Sequence, residues 1–118
     1  MNLTNALLQA APKVLLHDHL DGGLRPQTII EIAQDHRYRD LPSTSPGTLS
    51  EWFWRGVNRG SLQNYLEGFK HTIAVMQTEE ALERVAYEMM QDMKQDGVIY
   101  VETRFAPVFH TTKGLHCE

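Results

Sequence analysis

The chain is poor in cysteine: Cys117 is the only one among 118 residues, which excludes a disulfide framework and a cysteine-rich zinc centre. It also lacks an excess of positive charge. Eleven Lys and Arg stand against 15 Asp and Glu, a formal net charge of −4, and no basic stripe runs along the sequence. A nucleic-acid backbone is therefore not the expected partner. Long apolar runs are missing too, and the opening "MNLTNALLQAAPK" carries neither a basic leader nor a membrane-length segment, so no signal peptide or membrane association is expected. No repeat or low-complexity tract occurs. What is present is an ordinary globular composition, 42% hydrophobic and 22% charged, fit for one compact domain or part of a larger one. The default reading is a cytoplasmic enzyme or binding protein. Because "VFHTTKGLHCE" stops where a new helix could begin, the chain is expected to be cut from something longer.

Periodicity divides the chain into alternating helices and strands. Leu3, Leu7, Leu8 and Ala11 have helical spacing, and Pro12 ends that helix. "VLLHDHL" reads as a strand with Leu15, His17 and His19 on one side and Val14, Leu16 and Asp18 on the other. Pro26 suits the first position of a helix whose apolar face is Ile29, Ile30, Ile32 and Ala33. "RYRDLPSTSPG" reads as a loop, with Ser50 as the cap of a short turn through "EWFWRGV". A helix from Ser61 carries Leu62, Tyr65, Leu66, Phe69, Ile73 and Met76 at helical spacing. Thr78 caps the next, with Glu79 and Glu80 in its positive first turn and Ala81, Leu82, Val85, Ala86, Met89, Met90 and Met93 as its buried stripe. Gly97 stops it, and "VIYVETRF" forms a second strand. Strands separated by helices imply parallel crossovers and an α/β fold; two such strands cannot make a stable sheet alone, so the fold is expected to continue past residue 118.

Residues two apart on a strand point the same way, so His17 and His19 can converge on one ion, and neutral imidazole is a good zinc ligand. The bare spacing is weak evidence, and a hydrogen-bonded histidine pair explains it as well. Asp21, one step further along, is suited to touch a ligand rather than a metal, and Gly22 and Gly23 let the chain turn close to it.

The longer string "PKVLLHDHLDGGLRPQTIIEIA" closely resembles the opening of the adenosine deaminases, barrel enzymes of the metal-dependent amidohydrolase superfamily. "GVIYVETRFAP" is similar to the family's second strand, and "SLQNYLEGFKHTIAVMQTEEALERVAYEMMQDMKQDG" more loosely to the helices between. The resemblance covers essentially all 118 residues. It implies that residues 1–118 are the N-terminal portion of a single (β/α)8 TIM-barrel domain, its first two strands and the intervening helices. It implies that His17 and His19 bind Zn2+, that His19 and Asp21 contact the substrate, with Asp21 on the ribose 5′-hydroxyl, and that Leu62, Tyr65, Leu66 and Phe69 form an apolar wall and lid over the purine. The implied reaction is hydrolytic deamination of adenosine, and of 2′-deoxyadenosine, to inosine and ammonia in cytoplasmic purine salvage. Zinc makes a hydroxide-like nucleophile that attacks C6 while a glutamate protonates N1. That glutamate and the remaining metal ligands lie in family motifs absent from these 118 residues, so none of them is assigned a catalytic role and the piece alone is expected to be inactive.

Alternatives stay open: a deaminase of adenine or of a modified adenine nucleotide, or a non-catalytic truncated binding fragment. Aspartate at position 21 favours a nucleoside, because related adenine deaminases often carry glutamate there. Asp18, usually apolar in the animal enzymes, is expected either to find a partner or to lie at the solvated strand end. Glu102 and Arg104 are expected to point into the barrel and pair there as a structural salt bridge, with a direct substrate role as the alternative, and Glu80 with Arg84 as a surface pair. Trp52 and Trp54 are expected to face different ways and to be partly buried against the long helices rather than stacked on a purine, His36, His71 and His116 to be solvated, and His110 to follow the second strand at the active-site end, within reach of the pocket.

Overall fold

The computed structural model describes residues 2–58 and 60–117. Thr4 accepts a hydrogen bond from Leu7 N–H and starts the short helix α1 (Asn5–Ala10). Pro12 then leads into strand β1 (Lys13–His19), and a 3-10 turn over Leu20–Gly22 carries the chain to α2 (Pro26–Asp35). Helices α3 (Pro46–Val57), α4 (Leu62–Val75) and α5 (Glu79–Gln95) follow, then strand β2 (Val98–Arg104) and a 3-10 turn over Pro107–His110.

The two strands pair in parallel, with Lys13 opposite Val98, Leu15 opposite Val101 and His19 opposite Arg104. The fold is thus mixed α/β around a small parallel sheet. Gly97 makes the join between α5 and β2. Its φ is +76°, and a Cβ there would stand 2.3 Å from the Gln9 carbonyl oxygen, so only glycine fits. Its own carbonyl accepts from Lys13 N–H at 3.0 Å, which ties the start of β1 to the start of β2.

The core lies among the helices. Ile29, Ile30, Ile32 and Ala33 of α2, Leu49 of α3, Val75 and Met76 at the end of α4, and Ala81, Val85 and Met89 of α5 are all buried. α2 and α5 are also joined by polar side chains: Arg84 pairs with Glu31 and Glu88, and Arg25 grips Asp92 through Nε and Nη2. Thr78 caps α5 by accepting from Ala81 N–H.

Several sequence expectations are corrected. Helix α3 starts at Pro46, capped at Ser45 and not at Ser50, because Pro46 presets the helical φ and the Ser45 carbonyl accepts from Leu49 N–H at 2.8 Å. Met90 sits at the edge of the α5 stripe and is 39% exposed, since Ala81, Val85 and Met89 at four-residue spacing take the buried centre. Arg84 turns from Glu80 toward Glu31 on the neighbouring helix and Glu88 one turn on. Glu102 accepts from the Tyr100 hydroxyl at 2.9 Å instead of pairing with Arg104, whose guanidinium reaches the Leu16 carbonyl. His71 is buried, not solvated, and His36 is half-buried, while His116 is exposed. Asp18 is half-buried and accepts from the backbone N–H of His19 at 2.8 Å.

Candidate functional site

The end of β1 brings the two imidazoles together. His17 and His19 lie on the same strand face, and their Nε2 atoms stand 3.3 Å apart with ring planes tilted by 32°. Two nitrogens held about 2.0–2.1 Å from one tetrahedral ion stand about 3.3–3.4 Å apart, so this pair fits two corners of a zinc site. The same separation accommodates a hydrogen bond between neutral rings. Among the described residues no group of three or more metal-capable side chains gathers, so the pair forms at most part of a coordination sphere.

Asp21 follows in the 3-10 turn, more enclosed than a loop position suggests: the residue is only 6% exposed. Its Oδ1 lies 3.6 Å from His19 Nδ1, too far for a hydrogen bond, and has no hydrogen-bond partner among the described residues. A buried carboxylate oxygen is costly to leave without a donor.

Beside Asp21 a cavity of about 360 Å³ opens between the 3-10 turn, the start of α2, and helices α3 and α4. Asp21 and Gly22 line one side, and Trp52, Phe53, Tyr65 and Phe69 make an aromatic wall. The wall is close-set because α3 and α4 approach at Gly68, where a Cβ would come within 3.2 Å of the Phe53 ring. Phe69 lies against Gly22, and Tyr65 meets Phe69 edge to face at 5.7 Å. Of the four residues expected as wall and lid, Tyr65 and Phe69 line this cavity. Leu62 and Leu66 do not, and Leu62 is 73% exposed.

The sequence did not place Trp52 or Phe53 in this wall, although Leu49, Trp52, Phe53 and Gly56 have the 3–4 spacing of a helix face. Treating the stretch as a turn hid that signal. Trp54, two residues on, is largely exposed but lines the same cavity as Trp52. Behind the wall, the Tyr38 hydroxyl and His71 Nδ1 are 2.8 Å apart. Burial pushes the Tyr38 phenol up and the His71 imidazole down from their ordinary values, so both are neutral near pH 7. His110 does not enter this cavity. It is buried after β2 and donates from Nδ1 to the Met76 carbonyl at 2.8 Å, anchoring that turn to the end of α4.

Comparison with known proteins bears on this arrangement. A family model described as adenosine deaminase matches residues 12–118. An adenosine deaminase of Mycobacterium ulcerans is 56% identical over 108 residues, covering 92% of this chain and 30% of the relative. Adenosine deaminase 1 of Streptomyces coelicolor is 55% identical over 111 residues, covering 94% of this chain and 28% of the relative. An adenosine deaminase of Mycobacterium tuberculosis is 56% identical over 108 residues, covering 92% of this chain and 30% of the relative. The chain thus spans less than a third of the length of these curated relatives. Since the family match runs from just before β1 through the end of the chain, taking in both strands and the aromatic helices, the chain belongs to the adenosine deaminase family.

Proposed function

We propose that residues 1–118 are the N-terminal part of a (β/α)8 barrel that deaminates adenosine, and 2′-deoxyadenosine, to inosine and ammonia. His17 and His19 hold a zinc ion in this reading, and His19 and Asp21 contact the nucleoside. The observation that carries it is the 3.3 Å approach of the two Nε2 atoms on one strand face, in a chain of this family. The exposed apolar side chains Leu16 and Ile99 on the paired parallel strands support a further layer of protein over the sheet face.

A bound zinc supplies the Lewis acidity that makes water nucleophilic near neutral pH. The chain's own residues bind and orient. The strand holds the two imidazoles on one face. The Asp21 oxygen accepts a sugar hydroxyl in place of the hydrogen bond it lacks. The aromatic wall beside it excludes water and packs against the apolar parts of the nucleoside. No carboxylate of this chain is assigned the proton transfer to the ring.

A nucleoside fits better than a nucleotide. Arg25 is the nearby cation that a phosphate would need, and it is engaged by Asp92 through three hydrogen bonds of 3.2, 2.9 and 2.6 Å. Cytoplasmic purine salvage is the setting that this reading carries with it.

The test uses the full-length protein: metal content by elemental analysis, and steady-state rates on adenosine, adenine and AMP. We expect zinc in the purified protein and adenosine as the fastest substrate. Absence of metal would remove the role given to His17 and His19, and faster turnover of adenine would remove the one given to Asp21.

A further inference from the structure

The aromatic wall is braced from behind by a buried polar pair. His71 is only 8% exposed, and its imidazole meets the Trp52 indole edge to face, with centroids 5.3 Å apart and planes at 74°. Its Nδ1 is hydrogen-bonded to the Tyr38 hydroxyl at 2.8 Å. Neither Tyr38 nor His71 lines the cavity, whereas Trp52 and the neighbouring Thr72 do. The pair therefore touches the wall without being able to touch what the wall holds.

Tyr38 reaches this place by a specific backbone device. After α2 the chain closes with Tyr38 N–H on the Ala33 carbonyl at 2.8 Å and Arg37 N–H on the Gln34 carbonyl at 3.1 Å. These are the two hydrogen bonds of a Schellman ending. The left-handed position in it belongs to Arg37, with φ +57°, not to the usual glycine. The turn fixes Tyr38 against the core, where its hydroxyl meets α4. A hydrogen bond so enclosed is directional, and an imidazole held at one nitrogen cannot rotate away from the indole.

We propose that Tyr38 and His71 are positioning residues, which set the Trp52 indole in the cavity wall and so govern how well the substrate is held rather than how fast it reacts. This rests on reading the cavity beside Asp21 as the nucleoside site. The path runs from the end of α2 through the Tyr38 hydroxyl and the His71 ring to Trp52, and the ligand meets only its last member.

The experiment is a double-mutant cycle in the full-length enzyme, with Tyr38→Phe, Trp52→Phe and the combination, measured on adenosine. Tyr38→Phe keeps the ring and removes only the hydroxyl. It is expected to raise KM by about three- to tenfold, the usual weight of a buried hydrogen bond, with kcat within about twofold. Trp52→Phe is expected to raise KM similarly, and the combination to be no worse than the larger single effect, because both changes act on one contact. Unchanged KM in Tyr38→Phe, additive effects, or a fall in kcat alone would overturn the proposal. Asp21→Ala serves as the separate control. If it raises KM for adenosine while Tyr38→Phe does not, the bracing role fails and the site stands; if it leaves KM unchanged, the reading of the site itself fails.

Discussion

Helices α2–α5 and strands β1–β2 divide the work of this chain unequally. With the exception of Leu20 in the 3-10 turn, every residue of the buried apolar cluster lies on those helices or at the end of one, and none lies on a strand. The strands carry the histidine pair and Glu102, and Leu16 and Ile99 stand 61% and 73% exposed on them. Among the described residues the buried apolar core is thus concentrated in the helical layer, and the histidine pair stands on a sheet that adds little to it. A residue can be essential to one region and almost neutral in the other.

That contrast yields tests of graded size, all in the full-length protein. The largest expected effect is on activity: His17→Ala should lower kcat/KM for adenosine about a thousandfold or more, while the stability of the metal-free protein moves by no more than about 0.5 kcal/mol. A large stability loss, measured by denaturant unfolding without metal, would show that the imidazole pair supports the fold as well. The reverse case is Leu49→Ala. Leu49 is fully buried in α3, and truncation should cost about 2–5 kcal/mol while leaving zinc content unchanged at temperatures where the protein is folded. Zinc loss in the folded variant would show that the helices also hold the metal geometry.

Smaller effects follow from titration. Burial holds His71 below its ordinary value of 6.5, so the folded state binds fewer protons there than the unfolded chain. Its burial costs nothing in protonation above that range, and a destabilising penalty grows as pH falls through 6.5 toward the depressed folded value. The stability gap between wild type and His71→Asn should therefore narrow on acidification, and a gap constant from pH 8 to 5 would contradict the assignment. The smallest effect is expected at Arg25–Asp92, an exposed pair between α2 and α5. The hydrogen bond from Arg25 holds the Asp92 carboxyl below its ordinary 3.8, so the small deficit of Asp92→Asn should shrink as pH falls from 3.8 toward the depressed folded value. A deficit that does not shrink on acidification would mean that the pair acts through packing.

How much of this was legible in the sequence differs between the same two regions. The strand with both histidines on one side, Pro26 opening α2, Thr78 capping α5 and Gly97 ending it were all readable, because each is a local rule of period or capping. Helix α3 was hidden by the polar, proline-containing stretch before it, and with it the Trp52–Phe53 wall. His71 read as a solvated histidine because its partner, Tyr38, lies 33 residues away in a loop. The unpartnered Asp21 oxygen could not be foreseen either, since burial is set by elements far apart in the chain.

The sequence alone therefore determined the order of helices and strands, the shared face of His17 and His19, and the likeness to adenosine deaminases, since backbone period and short motifs are written in neighbouring residues. Only the tertiary structure decided the 3.3 Å meeting of the imidazoles, the enclosure of Asp21 and the bracing of Trp52 by His71 and Tyr38. Distances and burial depend on how separate elements pack, and no local rule of spacing contains that information.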